Sequence, residues 1–273
     1  MGSKKRDEEV VLITGATGGI GTVTANLLHN NGYKVYGTTR NLNSAPKTSF
    51  KLLQLDVTED TSVKGCIEEI ISKEGKIDVL INNASFSLCG SVTYLSAKDF
   101  QAQFETNFFG VHRMISEVLP GMLEREEGKI INIGTLGGRA AMPFQAPYSS
   151  TKAALAIYTD TIRMELQTKG IKVSLVEPGD IKTDFQAGRK FAKGYENDLV
   201  AQQVVDLYHE NERKGTPPKR VAKKIHKIIR KNNPKPRYLV GLMQTFLVGF
   251  LFRLLPISVQ VWGLMWYFKI PRN

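Results

Sequence analysis

The stretch from Val10 to Gly21, VVLITGATGGIG, is an apolar, β-branched run that passes directly into a glycine-rich turn. Glycine has no Cβ, so such a turn lets the backbone approach a phosphate while the following helix N-terminus attracts the anion. The spacing fits two triads equally well, Gly15, Gly19 and Gly21 or Gly15, Gly18 and Gly21. Both triads predict a dinucleotide site, and the alternative is a plain connection between a strand and a helix.

Outward from this turn, apolar runs alternate with helical patterns, which predicts an α/β fold. Strands are predicted at 10–14, 33–38, 51–55, 77–81, 129–133, 172–176 and 237–241, and helices at 20–30 and 60–73. The expected architecture is a Rossmann-like, doubly wound parallel sheet with helices on both faces and ligands at the C-terminal strand ends. We expect a single domain over residues 1–273, with its core at about 9–241.

Two segments fall outside this alternation. Residues 188–231 are basic, helical and amphipathic, and they predict a substrate lid over about 185–232. The C-terminal segment 242–273 is apolar, and between 239 and 268 Arg253 is its only charge. Neither uncharged run, 239–252 or 254–268, has the roughly 20 residues that a spanning helix needs. We expect helices that lie on a membrane surface or cover the substrate cleft, the alternative being helices docked on the core or on a partner subunit.

The net charge of +11 is concentrated between Lys182 and Arg237, where 15 Lys and Arg face 6 Asp and Glu, a balance of +9. This excess is either a solvated surface or an attraction to anionic lipid headgroups or a phosphorylated substrate. No nucleic-acid motif or metal-ligand spacing is present, so neither partner is expected. Two cysteines, Cys66 and Cys89, are too few for a disulfide framework. A cytoplasmic location is expected, and the alternative is peripheral association with a membrane.

A second motif is YSSTK at 148–152, which places Tyr148 and Lys152 four residues apart on one helix face. The Lys152 ammonium is expected to stabilise a phenolate and to lower the pKa of Tyr148, so that the hydroxyl exchanges a proton near neutral pH. A phosphate-binding turn together with an activated tyrosine indicates a nucleotide-dependent oxidoreductase.

Two further motifs, Asn82-Asn83-Ala84 and Pro178-Gly179, each follow a predicted strand. With all four motifs in this order, residues 9–241 resemble the single-domain short-chain dehydrogenase/reductase family. The segment Tyr36-Gly37-Thr38-Thr39-Arg40 and the apolar tail after Tyr238-Leu239-Val240-Gly241 loosely resemble its hydroxysteroid and retinol dehydrogenase branch. The resemblance implies four catalytic residues, which are Asn107, Thr135, Tyr148 and Lys152.

In this resemblance Tyr148 is the general acid in reduction and the base in oxidation, and Lys152 lowers its pKa. Asn107 kinks a helix and holds a water that links Lys152 to solvent. Thr135 stands where the family has serine, and its hydroxyl can make the same hydrogen bond to a carbonyl oxygen. We expect activity to be retained, and the alternative is a pseudo-enzyme that binds its cofactor without turnover.

The resemblance also implies a cofactor site in which the glycines contact the diphosphate and Thr183 the nicotinamide carboxamide. Asp56 would bind the adenine amino group or cap the next helix, and Asn83 and Ala84 would line the adenine ribose or stabilise the sheet. Ser85 replaces the family's usual glycine. The implied cofactor residues are Gly15, Thr17, Gly19, Ile20, Gly21, Thr39, Arg40, Asp56, Val57, Asn83, Ala84, Tyr148, Lys152, Pro178, Gly179, Ile181 and Thr183.

The end of the second strand indicates which cofactor is bound. NAD sites in such folds place an acid there for the ribose 2′-hydroxyl. Here the strand ends Gly37-Thr38-Thr39-Arg40 without an acid. Arg40 can meet a 2′-phosphate and Thr39 can add a hydroxyl, so the sequence predicts NADP(H).

The leading hypothesis is therefore NADPH-dependent reduction of a ketone or aldehyde, or the reverse oxidation, with Tyr148 donating the proton. The apolar tail suggests a lipophilic substrate of steroid, retinoid, long-chain or acyl-dihydroxyacetone phosphate type. Its expected contacts, or alternatively ordinary packing residues, are Met142, Pro143, Phe144, Phe185 and Phe191. Rival hypotheses are an NADP(H)-sensing binding module and a membrane-surface scaffold. Helices at 99–123 and 148–169 are expected to pair into a homodimer or homotetramer.

Overall fold

A computed structural model describes residues 9–183, 188–241 and 254–271. Its strands are β1 (Val10–Ile13), β2 (Lys34–Thr39), β3 (Lys51–Gln54), β4 (Val79–Asn82), β5 (Leu88–Cys89), β6 (Gly128–Ile133), β7 (Ile171–Pro178), β8 (Lys190–Phe191) and β9 (Arg237–Val240). Its α-helices are α1 (Gly19–His29), α2 (Asp60–Glu74), α3 (Ala97–Phe104), α4 (Gly110–Glu124), α5 (Ala146–Leu166), α6 (Leu199–Arg213), α7 (Pro218–Ile229) and α8 (Ile257–Tyr267).

Seven strands form one parallel sheet in the order β3-β2-β1-β4-β6-β7-β9. The predicted doubly wound parallel sheet is confirmed. The seven predicted strands and two predicted helices all occur, with bounds that differ by at most two residues. This agreement follows from the buried, β-branched character of the strands and from the polar or glycine residues that end them.

Helices cover both faces of the sheet because alternate strand residues point to opposite sides. On one face, Val11 and Ile13 pack with Leu28 of α1 and with Val221 and Ile225 of α7. On the other face, residues of α2, α4 and α5 pack on the sheet, including Ile70, Met114 and Leu155 against Leu12 and Leu80.

The position of α7 corrects the predicted lid. Its apolar residues recur at helical spacing, and Val221, Ala222, Ile225, Ile228 and Ile229 are all buried. Because this stripe packs on the sheet and α1, α7 belongs to the core layer and not to a cover over the cleft. The predicted range of about 185–232 therefore extends too far toward the C-terminus.

A buried chain of polar groups joins the centre of the sheet to α5. The Asn82 Nδ2 donates to the Asn132 Oδ1 over 2.9 Å, and the Asn132 Nδ2 donates to the Thr159 Oγ1 over 2.9 Å. Thr159 in turn donates to the carbonyl oxygen of Leu155. All three side chains are buried, so these hydrogen bonds hold α5 against β4 and β6 at one position.

A third apolar cluster lies beside the C-terminal strand ends. It joins Cys89 of β5 to Val204 and Tyr208 of α6 and to Phe268, which directly follows α8. Strands β5 and β8 pair in parallel next to it as a separate two-stranded sheet. Along the three ranges that the structure describes, no helix has both the length and the apolar character needed to cross a bilayer. Residues 242–253 and 272–273 of the predicted apolar segment lie outside those ranges.

Candidate active site

The glycine turn connects β1 to α1 with two residues in the left-handed region, Gly15 at φ +64° and Gly19 at φ +49°. A Cβ at Gly21 would lie 2.7 Å from Asn83 Nδ2 and would overlap the carbonyl oxygen of Gly15. A Cβ at Gly18 would meet no atom within 4 Å. The positions that require glycine are therefore Gly15, Gly19 and Gly21, the first of the two triads that the spacing allows.

Asn83 supports this turn from the end of β4. Its Nδ2 donates to the carbonyl oxygens of Thr14 and Gly15, each over 2.9 Å. The Thr14 Oγ1 accepts from the backbone nitrogens of Asn83 and Ala84 at 2.9 and 3.0 Å. These bonds hold the end of β4 against the end of β1. They correspond to the sheet-stabilising role that the sequence allowed as the alternative to lining the adenine ribose.

The end of β2 presents polar side chains beside the turn. The Thr17 Oγ1 donates to the Thr39 Oγ1 over 3.4 Å, and Arg40 is exposed. A guanidinium at this edge, with no carboxylate in residues 37–40, is compatible with an extra phosphate.

Asp56 closes a turn before α2. It does not cap that helix, although capping was one of the two roles that the sequence allowed. The Asp56 Oδ1 accepts from the Thr58 nitrogen at 2.9 Å and from its hydroxyl at 2.8 Å, whereas the N-cap residue is Glu59. The next residue, Val57, is buried, and a Cβ at Gly110 would lie 2.7 Å from its Cγ2.

The end of β7 brings the remaining predicted cofactor residues to the same edge of the sheet. Pro178 ends the strand, and the Gly179 nitrogen donates to the carbonyl oxygen of Val240 over 2.9 Å. Ile181 pairs with Thr216 in an isolated bridge. Thr183 packs over the turn, since a Cβ at Gly19 would lie 3.4 Å from the Thr183 Cβ. Ile20 packs against the sheet.

These residues fit a dinucleotide. The turn lacks Cβ atoms where a pyrophosphate would approach, and α1 directs its N-terminal N–H groups toward that place.

The predicted catalytic residues lie together at the C-terminal end of β6. Tyr148 and Lys152 lie in the first two turns of α5, and the Lys152 Nζ is 5.8 Å from the centre of the Tyr148 ring. The Thr135 side chain lies beside the Tyr148 hydroxyl and lowers its pKa, although burial has the larger and opposite effect. The Thr135 Oγ1 also accepts from the Gly137 nitrogen at 3.2 Å and donates to the Pro178 carbonyl oxygen over 3.3 Å.

Asn107 lies at a break between α3 and α4, where Glu105–Phe109 form a π-helix. The Asn107 Oδ1 accepts from the Phe86 nitrogen at 3.1 Å, and its Nδ2 donates to the Phe86 carbonyl oxygen over 3.0 Å. The Nδ2 also donates to the Thr151 Oγ1 over 3.3 Å. Asn107 thus joins the distorted helix to α5 one residue before Lys152, and single-turn π-helices are frequent at functional sites.

The charge state of the site differs from the sequence prediction. Burial raises the pKa of Tyr148 above its usual value of 10.0, although the sequence predicted a lowered pKa. Burial also lowers the pKa of Lys152 to about 8, and its Nζ donates to the Ile133 carbonyl oxygen over 3.0 Å. Because desolvation of the phenolate is the largest cause of this rise, Tyr148 here is a protonated donor.

The predicted substrate contacts border the third cluster. Met142 and Phe144 pack against it, and the Pro143 carbonyl oxygen accepts from the Tyr208 hydroxyl at 2.9 Å. Phe191 is 43% exposed and stacks on Tyr195 with ring centres 4.3 Å apart. Phe185 lies outside the described residues.

Sequence reasoning missed an ion pair next to Tyr148. The Arg189 Nη2 donates to the Glu212 Oε1 over 2.6 Å. Glu212 raises and Arg189 lowers the pKa of Tyr148, so both charges act on the hydroxyl, although burial has the larger effect. The two residues are distant along the chain, and nothing in either local sequence indicates the pairing.

Comparison with known proteins agrees with this geometry. A family model described as short chain dehydrogenase matches residues 9–193. A 3-ketodihydrosphingosine reductase of Bacteroides thetaiotaomicron is 38% identical over 237 residues, which cover 85% of this chain and 88% of the relative.

Two solved structures share the fold. A short-chain dehydrogenase from Streptomyces avermitilis superposes with a TM-score of 0.79 at 26% identity and covers 93% of this chain and 94% of its own. ElxO with NADP bound gives a TM-score of 0.70 at 30% identity, with coverage of 85% and 96%. The residues that the family model matches, 9–193, include the glycine turn, strands β1 to β8 and α5.

Proposed function

The chain belongs to the short-chain dehydrogenase/reductase family of oxidoreductases, and from this premise we propose that it is an NADPH-dependent reductase of a lipophilic ketone or aldehyde. One observation carries the proposal, namely that Tyr148, Lys152 and Thr135 lie together at the sheet edge that also holds the glycine turn, with the Lys152 Nζ 5.8 Å from the centre of the Tyr148 ring. A protonated hydroxyl beside a dinucleotide cradle is what the reduction of a carbonyl requires.

In the proposed mechanism, NADPH would supply the hydride when bound. Side chains of this chain hold the substrate oxygen and supply the proton. The hydroxyls of Tyr148 and Thr135 hold the carbonyl oxygen and polarise the bond. Tyr148 gives its proton to that oxygen as the carbonyl carbon is reduced. Its high pKa keeps it protonated until negative charge develops on the substrate oxygen.

Lys152 and Asn107 support this step. The Lys152 Nζ donates to the Ile133 carbonyl oxygen, and in the proposal its ammonium binds the nicotinamide ribose and favours proton loss from Tyr148 once the cofactor is bound. Asn107 fixes the distorted helix against α5, and in the proposal it also holds the water that links Lys152 to solvent.

The proposed preference for NADP(H) rests on the end of β2. Arg40 is exposed there, and residues 37–40 contain no carboxylate that would repel a 2′-phosphate. The similar structure of ElxO with NADP bound supports this choice. An arginine fork makes charge-assisted hydrogen bonds to a phosphate, whereas a ribose hydroxyl gains less from it.

The proposed lipophilic substrate is supported by the third cluster. Met142 and Phe144 lie in it together with Tyr208 and Phe268, beside the Tyr148 segment. The relative from Bacteroides thetaiotaomicron is named for the reduction of a ketone, 3-ketodihydrosphingosine.

The decisive experiment measures NADPH and NADH consumption by the purified full chain with long-chain, steroid, retinoid and short polar carbonyls. We expect turnover of lipophilic carbonyls with NADPH, and its loss by about 10²-fold or more in Tyr148→Phe because the proton donor is gone. Tight NADP(H) binding without turnover of any carbonyl would contradict the proposal and favour the sensing module. Turnover of short polar carbonyls alone would remove the lipophilic substrate class.

We also propose that α8 touches a membrane surface. Its exposed side chains include Ile257, Trp262 and Trp266, at 71%, 57% and 71% exposure, while Phe268 anchors the segment on Tyr208. Exposed Lys269 follows the helix, which suits an anionic surface. Sedimentation with phosphatidylglycerol vesicles should be lost in Trp262→Ser/Trp266→Ser, and equal sedimentation of that variant would exclude the contact.

A second copy of the chain is the proposed partner of α5. Ile157 and Met164 are 66% and 71% exposed on this helix, and Phe109 next to α4 is 44% exposed. We expect Ile157→Glu to shift the mass measured by light scattering from a dimer or tetramer toward the monomer, because a charge would enter an apolar contact. An unchanged mass would place the interface elsewhere.

A further inference from the structure

A buried ion pair joins two elements beside the proposed active site. Arg189 precedes β8 and Glu212 lies near the end of α6, with the Arg189 Nη2 and the Glu212 Oε1 2.6 Å apart. The side chains of Arg189 and Glu212 are only 1% and 16% exposed. Charges are removed from water in this way only where they are paired or serve a ligand.

The pair is incompletely satisfied. Within the described parts of the chain, Arg189 Nε and Nη1 and Glu212 Oε2 are buried without a hydrogen-bond partner, and so is the Thr216 Oγ1. Buried polar atoms in folded proteins are nearly always bonded. Spare N–H donors and a spare carboxylate oxygen in one place therefore indicate a site for a polar group.

The location of the pair connects it with the proposed substrate. Strand β8 pairs with β5, so Arg189 lies next to the segment that follows Asn83. On α6, Glu212 is one turn after Tyr208, whose hydroxyl donates to the Pro143 carbonyl oxygen. Both charges act on the Tyr148 hydroxyl and on the buried Cys89 thiol of the third cluster.

We propose that Arg189 and Glu212 form a polar subsite that binds a neutral hydroxyl group of the substrate, a few bonds from the reacting carbonyl. This inference rests on the proposed reductase function and names its substrate class, which is a lipophilic hydroxyketone. The substrate hydroxyl accepts from the free edge of the guanidinium and donates to Glu212 Oε2.

Charge balance selects a neutral group. Arg189 and Glu212 already neutralise each other, so a carboxylate, phosphate or ammonium would leave one uncompensated charge in a buried site. A hydroxyl adds no charge and offers both a donor and an acceptor. The planar guanidinium, fixed by Glu212 at one nitrogen, holds its other N–H groups in a set direction.

The test is calorimetric binding to the NADP⁺-loaded full chain of two long-chain ketones that differ only in one hydroxyl, two carbons from the carbonyl. We expect the wild-type protein to bind the hydroxyketone at least about 10-fold more tightly, because a site built for a hydroxyl rejects an analogue without it. In Arg189→Met/Glu212→Met the two affinities should become equal. Removing both charges together avoids a buried unpaired charge, so the fold should persist.

The control variant is Glu210→Met/Lys214→Met, which removes an exposed ion pair at the C-terminal end of α6 and should keep the wild-type preference. Equal affinities in wild type, or a preference that survives in Arg189→Met/Glu212→Met, would overturn the subsite. Tighter binding of the matched carboxylate or ammonium ketone would overturn its neutral character. Wild-type discrimination is measured without any variant and stands if the double variant does not fold.

Turnover separates the two proposals. Selective binding of the hydroxyketone without NADPH consumption would leave the subsite in place and reject the reductase. Equal kcat/KM values for the two ketones would keep the reductase and reject the subsite.

Discussion

Gly21 and Gly15 meet so closely in the turn that a Cβ on Gly21 would overlap the Gly15 carbonyl oxygen. The same Cβ would lie 2.7 Å from Asn83 Nδ2, which itself donates to that oxygen. Gly18, three residues earlier, has open space around it and extended backbone angles that any residue adopts. Two glycines of one motif therefore differ in what their replacement would disturb.

We predict that Gly21→Ala lowers the free energy of unfolding by about 1–3 kcal/mol, because the methyl group displaces backbone and the Asn83 amide. The affinity of Gly21→Ala for NADP(H) should also be lower than that of the wild type. Gly18→Ala is the matched control and should stay within about 1 kcal/mol of wild type. Urea unfolding and cofactor titration of both variants measure this, and equal losses would contradict the assignment of the triad.

A second prediction concerns Arg40. Arg40→Ala should weaken NADPH binding by about 10- to 100-fold, the value of a charge-assisted hydrogen bond, and leave NADH binding nearly unchanged. Lys47→Ala removes an equal charge from an exposed position nearby and serves as the control. Equal loss of both cofactors in Arg40→Ala, or equal effects of the two variants, would reject a 2′-phosphate contact.

A third prediction concerns the hydroxyl of Thr135. Thr135→Val preserves shape but removes the hydroxyl that in the proposal holds the substrate oxygen together with Tyr148, and kcat should drop by about 10²- to 10³-fold. Thr135→Ser restores the hydroxyl without the methyl group and should stay within about 10-fold of wild type. Steady-state kinetics on one substrate compare the three proteins, and an active Thr135→Val would show that this hydroxyl is dispensable.

A fourth prediction follows from the pKa of Lys152, which burial lowers to about 8 from 10.5. Between these two values the unfolded chain binds more protons than the folded chain, so this residue makes the free energy of unfolding rise with pH. Lys152→Met lacks the effect. The difference between wild type and Lys152→Met should grow by about 2 kcal/mol in favour of wild type from pH 8 to pH 10.

Urea unfolding without cofactor at several pH values measures this difference. Groups such as Tyr158, whose pKa burial raises to about 12, titrate alike in both proteins and cancel in the comparison. A pH-independent difference would mean that Lys152 is not desolvated in the folded chain.

The sheet could be predicted from sequence because each strand is a short apolar run that ends at a polar or glycine residue. The glycine turn can likewise be recognised from its glycine content. The sequence left two triads open, since the crowding at Gly21 and the space at Gly18 exist only once β4 lies beside the turn. The stripe of α7, from Val221 to Ile229, was visible, but its burial depends on α1, which lies far away in the chain.

Other features depend on tertiary contacts alone. Strands β5 and β8 have two residues each, too few for a periodic pattern, and Arg189 meets Glu212 only after α6 folds back. The pKa of Tyr148 was predicted in the wrong direction because spacing shows that a lysine is near but not how much water is lost. Residue type and order thus identify the site, while burial determines its charge.

The hydrogen bonds from Asn82 through Asn132 to Thr159 have a consequence for chemistry at a distance. Thr159 follows Lys152 by two turns and Tyr148 by three, so the three side chains share nearly one azimuth on α5. A bond that fixes Thr159 to the sheet therefore sets the rotation of the whole helix about its axis. The orientation of Tyr148, the proposed proton donor, is therefore determined more than two helical turns away by groups that do not contact a substrate.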